Sequence, residues 1–106
     1  MPRIEDYALI GDLQTAALVG RDGSIDWCCF PRFDSGACFA AILGTAEDGR
    51  WLLAPTAKTV RSSRRYRHDT LILESIHEIA GGSVRVIDFM PPRGHAPDIV
   101  RIVEGL

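Results

Sequence analysis

The chain lacks a long hydrophobic run. No stretch approaches the ~18 apolar residues that a membrane-spanning helix requires. The opening residues, Met1-Pro2-Arg3-Ile4-Glu5-Asp6, turn polar and charged at once, leaving no apolar core for a secretory leader. The expected location is therefore cytoplasmic, with no membrane partner. Cysteine is scarce: there are 3, an odd number, which with a cytoplasmic location argues against a disulfide framework. Cys28 and Cys29 are adjacent, so in a strand they point to opposite faces and cannot share one metal ion. His68, His77 and His95 supply no close ligand spacing with them. The cysteines read as small buried fillers, and neither metal nor cofactor is expected. Charge is nearly balanced, at −2 overall, which gives no global pull toward nucleic acid or anionic membrane. The one local exception is Arg61-Ser62-Ser63-Arg64-Arg65-Tyr66-Arg67-His68. It reads as a solvated or interface-pairing strand start rather than a phosphate-binding patch.

What is present suits one globular domain over residues 1–106, with 46% hydrophobic and 25% charged residues. No internal repeat or low-complexity segment appears. Glycine and proline punctuate short apolar stretches, the pattern of an antiparallel all-β chain. Thr15 to Gly20 reads as a strand, Arg21-Asp22-Gly23-Ser24 as a tight turn, and Ser24 to Phe30 as the returning strand. In regular alternation Trp27 and Cys29 face one way and Asp26, Cys28 and Phe30 the other. Pro31 to Gly36 forms a loop. Ser35 to Gly44 reads as one short helix, with Ser35 at its start and Gly44 at its end. Strands are expected over Arg50 to Ala54, Thr70 to Ala80, Ser83 to Met90 and Ile99 to Val103, with Gly81-Gly82 as a hairpin loop. The chain then stops at Leu106, as if cut partway through a larger sheet.

Two blocks are especially distinctive: Tyr7-Ala8-Leu9-Ile10-Gly11-Asp12, and Asp22-Gly23-Ser24-Ile25-Asp26-Trp27 running on to Pro31-Arg32-Phe33-Asp34-Ser35. Arg65-Tyr66, Asp69-Thr70, Asp88-Phe89-Met90-Pro91 and Arg101-Ile102-Val103-Glu104-Gly105 follow in order. Together they resemble the amino-terminal segment of bacterial glycoside hydrolases of family 15, the glucoamylase and trehalase-like enzymes. The resemblance implies an antiparallel β-sandwich segment that packs on an (α/α)6 catalytic barrel. It implies an inverting hydrolysis of α-glucosides, with water activated between two carboxyl groups ~6.5–9.5 Å apart. In that family both carboxyl groups lie on barrel loops, and Glu5, Glu47, Glu74, Glu78 and Glu104 match none of those motifs. The resemblance therefore implies a non-catalytic domain whose partner is the barrel of the same polypeptide. Some trehalases of this type are said to need phosphate and magnesium, which nothing in these residues would show. The other class of reading is a stand-alone carbohydrate-binding or protein-interaction module.

Asp26, Trp27, Arg32, Phe33 and Asp34 are the candidates for a substrate-cleft border. An aromatic face suits a sugar's apolar surface, and charged groups suit its hydroxyls. The structural reading of the same residues is an Arg32–Asp34 or Arg32–Asp26 ion pair with Trp27 in the core. Asp12 beside Thr15 reads as a backbone-holding turn residue. Asp88 interrupts an apolar strand and needs a cation, for which Arg85 and Arg101 are available. Glu74 and Glu78 read as solvent-facing. If the sandwich continues beyond Leu106, open strand edges would favour self-association, with Ile99 to Val103 the exposed edge.

Overall fold

The computed structural model describes residues 3–30, 32, 36–44, 47, 49–92 and 97–106. Among them, nine strands form two antiparallel sheets. The first sheet holds β1 (Tyr7–Gly11), β2 (Ala16–Gly20), β3 (Ser24–Cys29), β4 (Ala37–Phe39) and β5 (Trp51–Leu52). Its order is β1-β2-β3, with β4 and β5 pairing to opposite ends of β3. The second sheet is a meander of β6 (Arg61–Tyr66), β7 (Leu73–Ile79), β8 (Gly82–Phe89) and β9 (Val100–Gly105).

Local chemistry sets the turns. Asp12 accepts the Gln14 and Thr15 amides at 2.9 and 3.0 Å, closing the β1–β2 connection as the sequence suggested. Between β2 and β3, the Gly23 amide bonds the Gly20 carbonyl at 3.0 Å, and Gly23 sits at φ +92°. A Cβ there would lie 2.3 Å from the Leu53 carbonyl oxygen, so the position requires glycine for space as well as for conformation. In the β7–β8 hairpin Ile79 pairs with Gly82, so the turn is Ala80-Gly81, one residue earlier than expected.

The short helix expected over 35–44 does not form in the described part of that window; Ser35 itself lies outside the described residues. Ala37–Phe39 pairs instead with β3, Cys28 opposite Phe39 and Cys29 opposite Ala37. A single 3-10 turn follows at Ala41–Leu43, with Gly44 closing it. The amides of Ala40 and Ala41 both bond the Gly49 carbonyl at 3.1 Å. An isolated ten-residue helix is marginal, and an open strand edge on β3 is the stronger partner for these backbone groups.

The core lies between the sheets. Ile10, Ala17, Val19, Ile25 and Cys28 meet Leu73 and Met90, with Ala8, Phe30, Phe39 and Ile99 around them. Polar side chains from the second sheet fasten the edge of the first. Arg64 donates to the carbonyls of Val19 and Asp6 at 2.9 and 2.7 Å. The Tyr66 hydroxyl both donates to the Leu9 carbonyl and accepts its amide, at 2.8 and 2.9 Å. Tyr66 thereby satisfies the backbone groups that edge strand β1 turns away from β2.

Candidate functional site

The candidate border is built on β3. Leu18 pairs with Trp27 but Val19 pairs with Ile25, so Asp26 is the extra residue of a β-bulge. A bulge lets two successive residues share a face. Asp26 and Trp27 therefore lie together on the face away from the core, not on opposite faces as regular alternation predicts. Asp26 is buried and accepts the Tyr7 hydroxyl on Oδ2 at 2.6 Å and the Ser24 hydroxyl on Oδ1. Both oxygens are thus engaged, one by β1 across the sheet and one by β3 itself. Burial of the Tyr7 phenol, and then the Asp26 carboxylate beside it, push its ionisation well above the ordinary tyrosine range.

Trp27 was expected in the core and is instead half-buried on the outer face. With Leu9, Leu18, Ala16, Thr15 and Cys29 it lines a concavity of about 210 Å³. The Thr15 hydroxyl donates to the Cys29 carbonyl, which leaves this surface predominantly apolar. Arg32 is exposed, while Phe33 and Asp34 lie outside the described residues. The structure therefore brings Asp26 and Trp27 together and shows Asp26 held by Tyr7 and Ser24.

On the second sheet Asp88 finds its cation. The Arg101 Nε donates to Asp88 Oδ1 at 2.7 Å, and each side chain is 1% exposed. Arg101 also donates to the carbonyls of Trp51 and Gly23, and its guanidinium stands 5.2 Å from the Trp51 ring centroid. Arg85, the other cation proposed for Asp88, alternates to the opposite face and pairs with Glu104 at 3.1 Å. Glu74, expected to face solvent, is 8% exposed. Arg65, Arg67 and Arg85 close over it at 3.5, 3.4 and 3.7 Å. Their guanidinium groups surround the carboxylate that the strand pattern leaves outward. Glu78 is exposed beside Arg61. The basic run is thus divided by alternation: Arg61 and Arg65 face acidic residues of β7, and Arg64 faces the other sheet.

Cys28 and Cys29 are buried free thiols, and burial pushes Cys28 up to about 12. Cys38 is exposed, a correction to its reading as a buried filler. The sequence reading passed over His77, which is 2% exposed with Nε2 lacking any partner among the described residues. The signal for it was the two-residue spacing from Leu73 through Ser75, which puts all three on the inward face of β7. No group of three or more His, Cys, Asp or Glu among the described residues is placed to hold a metal ion. Among the described residues no helix is long and apolar enough to cross a membrane.

Comparison with known proteins places the chain in a family by its sequence. The model of the trehalase-like N-terminal domain matches residues 1–106. The chain belongs to that family. A trehalase of Mycobacterium tuberculosis is 39% identical over 82% of the chain and 13% of its own length. A trehalase of Thermoplasma volcanium is 34% identical over 98% of the chain and 18% of its own length. Trehalase 2 of Sulfolobus acidocaldarius is 35% identical over 94% of the chain and 16% of its own length. The trehalase-like domain therefore spans less than a fifth of the curated relatives it matches. No solved structure matches it.

Proposed function

We propose that this trehalase-like domain is the non-catalytic amino-terminal part of an inverting α-glucoside hydrolase of family 15, trehalase-like or glucoamylase-like, and supports an (α/α)6 catalytic barrel of the same polypeptide. The observation that carries the reading is the family match along the whole chain, together with trehalases that extend far beyond the matched segment. The chemistry of the domain supports it. The buried carboxylates Asp12, Asp26, Glu74 and Asp88 each accept from named backbone, hydroxyl or guanidinium donors. A general acid needs a proton poised near working pH, and a general base needs free lone pairs; these groups are committed to holding strands and turns.

The apolar concavity around Trp27, with Arg32 on the neighbouring loop, is the face we assign to the border of the substrate cleft. Phe33 and Asp34 belong to the same segment of the sequence. The experiment is hydrolysis of a panel of α-glucosides, trehalose and maltose included, by the longer polypeptide and by the 106-residue chain. The longer polypeptide is expected to release glucose and the chain alone none. Glucose release by the chain alone overturns the non-catalytic reading. In the longer polypeptide, Trp27→Ala and Arg32→Ala are expected to raise KM or lower kcat with little change in Tm; unchanged kinetics remove this face from the cleft. A cytoplasmic location and self-association through the β9 edge complete the proposal.

A further inference from the structure

Backbone phase along β9 decides which of its groups stay open. The Leu106 amide bonds the Ser83 carbonyl at 3.0 Å, in the register that pairs Val84 with Gly105. Ser83 and Leu106 are therefore a hydrogen-bonded pair, and such pairs alternate along an antiparallel ladder. Val100, Ile102 and Glu104 accordingly direct their N–H and C=O groups to β8. Arg101, Val103 and Gly105 direct theirs to the free edge, where no strand follows among the described residues. Side chains alternate in the same phase. Arg101, opposite Asp88, and Val103, opposite Val86, take the inner face with Gly105, while Val100, Ile102, Glu104 and Leu106 take the outer one. The inner face is uncovered at this edge: Val103 is exposed although its cross-strand neighbour Val86 is buried.

From this phase we propose that the β9 edge receives a second copy of the chain in one register, Val103 opposite the partner's Val103, about a two-fold axis normal to the sheet. The register rests on the self-association stated above and specifies its surface. Such an axis keeps each face continuous, so inner residues must meet inner residues. With Val103 at the centre, Arg101 meets the partner's Gly105, and Gly105 meets the partner's Arg101. All are hydrogen-bonded pairs, so every open N–H and C=O of the edge is answered. The side chains agree with that register. Val103 covers the partner's Val103 on the inner face, and on the outer face the apolar Val100 meets the apolar Leu106 of the partner subunit. Arg101 is buried beside the Trp51 ring, and the residue that falls next to it is a glycine with open space around it, which brings no side chain against the indole. Centring on Ile102 keeps the faces but sets Val103 against the partner's Arg101 and leaves Gly105 opposite a residue outside β9. A slip of one residue turns the inner side chains outward. In the Val103 register two four-stranded sheets become one continuous sheet. Contact along one six-residue strand is small, which suits a micromolar dissociation constant rather than a permanent dimer.

The test traps the register with a disulfide. Val103→Cys and Ile102→Cys are each made in a Cys38→Ser chain, which removes the exposed native thiol, and oxidised with diamide at a concentration where the parent 106-residue chain sediments as a dimer. In the Val103 register the two Cα atoms at position 103 stand about 5.5 Å apart, within disulfide reach. Those at position 102 are offset by two residues along the strand, about 8 Å apart and beyond that reach. Val103→Cys is expected to give covalent dimer and Ile102→Cys to stay uncrosslinked. Amide exchange of the unsubstituted chain reads the same register without any variant. Raising the concentration is expected to slow exchange at Arg101, Val103 and Gly105 and to leave Ile102 and Glu104, already bonded to β8, unchanged. Trapping at 102 in place of 103, or exchange at Gly105 that does not slow in a dimerising chain, overturns the register and leaves self-association standing. A parent chain that stays monomeric overturns both.

Discussion

The Arg101 guanidinium, carried on β9, donates Nη2 to the Gly23 carbonyl at 2.6 Å, tying the last strand of one sheet to the tightest turn of the other. The same carbonyl accepts the Leu53 amide at 3.1 Å, and Asp88 holds Arg101 in place from behind. Three segments distant in sequence thus depend on one buried cation.

Breaking that arrangement from either side is expected to cost more than any surface change. Asp88→Asn or Arg101→Leu leaves a buried charge without its counter-charge, a loss of about 3–5 kcal/mol. Denaturant unfolding of the 106-residue chain measures it. A loss below about 1 kcal/mol would show that water reaches the pair. Gly23→Ala is expected to be similarly severe, because its Cβ would meet the Leu53 carbonyl oxygen at 2.3 Å.

Tyr7 should ionise late in a spectrophotometric titration. It is held protonated by burial and by the Asp26 carboxylate that accepts its hydrogen bond, so its ionisation lies well above the ordinary tyrosine range. Replacing Tyr7 by Phe removes that late step and leaves Asp26 one donor short, at a cost of about 1–3 kcal/mol. A Tyr7→Phe titration that loses a step in the ordinary tyrosine range instead would show that the Tyr7–Asp26 bond is not maintained in solution.

Thiol labelling should find one fast cysteine and two slow ones. Cys38 is exposed, while Cys28 and Cys29 are buried and burial holds the Cys28 thiol up to about 12. A disulfide-exchange reagent at neutral pH is expected to modify Cys38 at once and the other two only on unfolding. Rapid modification of all three would contradict the packed β3–β4 pairing.

Stability should fall as the medium becomes acidic, with His77 as one cause. Burial holds its imidazole below the ordinary value of 6.5, against the upward pull of Asp22 and Asp88 and with a downward push from Arg101. The unfolded chain therefore takes up this proton first. The neutral ring's contribution is complete above pH 6.5 and is lost as pH falls below that value toward the folded-state pKa. Between about pH 7.5 and about pH 5.5, Tm of the parent chain should drop further than that of His77→Gln. Equal drops would show that His77 is solvated.

Sedimentation addresses the open edge of the second sheet. β9 has no strand beyond it among the described residues, and Ile102, Val103 and Leu106 are 43%, 53% and 57% exposed. Edge-to-edge dimers are expected at micromolar concentration, and Val103→Lys should return them to monomer. A monomer at all concentrations in the parent chain would contradict the proposal.

Much of the architecture was legible along the chain because it depends on short-range chemistry. Asp-Gly at the β2–β3 turn, the paired glycines where β8 begins and the apolar runs of β7 and β8 specify hairpins through backbone preference and alternation. The ordered blocks around Tyr7, Trp27 and Asp88 determined the family by themselves. Tertiary structure alone decided the rest, for reasons of competition and reach. Residues 37–43 carry a helical pattern, yet the free edge of β3 offers stronger partners to their backbone. Asp26 and Trp27 share a face because of a bulge whose register depends on β2. Glu74 is met on the outer face by three arginines, two before it and one on β8, whose guanidinium groups gather around its carboxylate. Arg101 was one of two possible partners for Asp88, and pairing direction across β8 and β9 chose it. Sequence spacing reports which faces a strand has; only the packing of distant strands determines what each face meets.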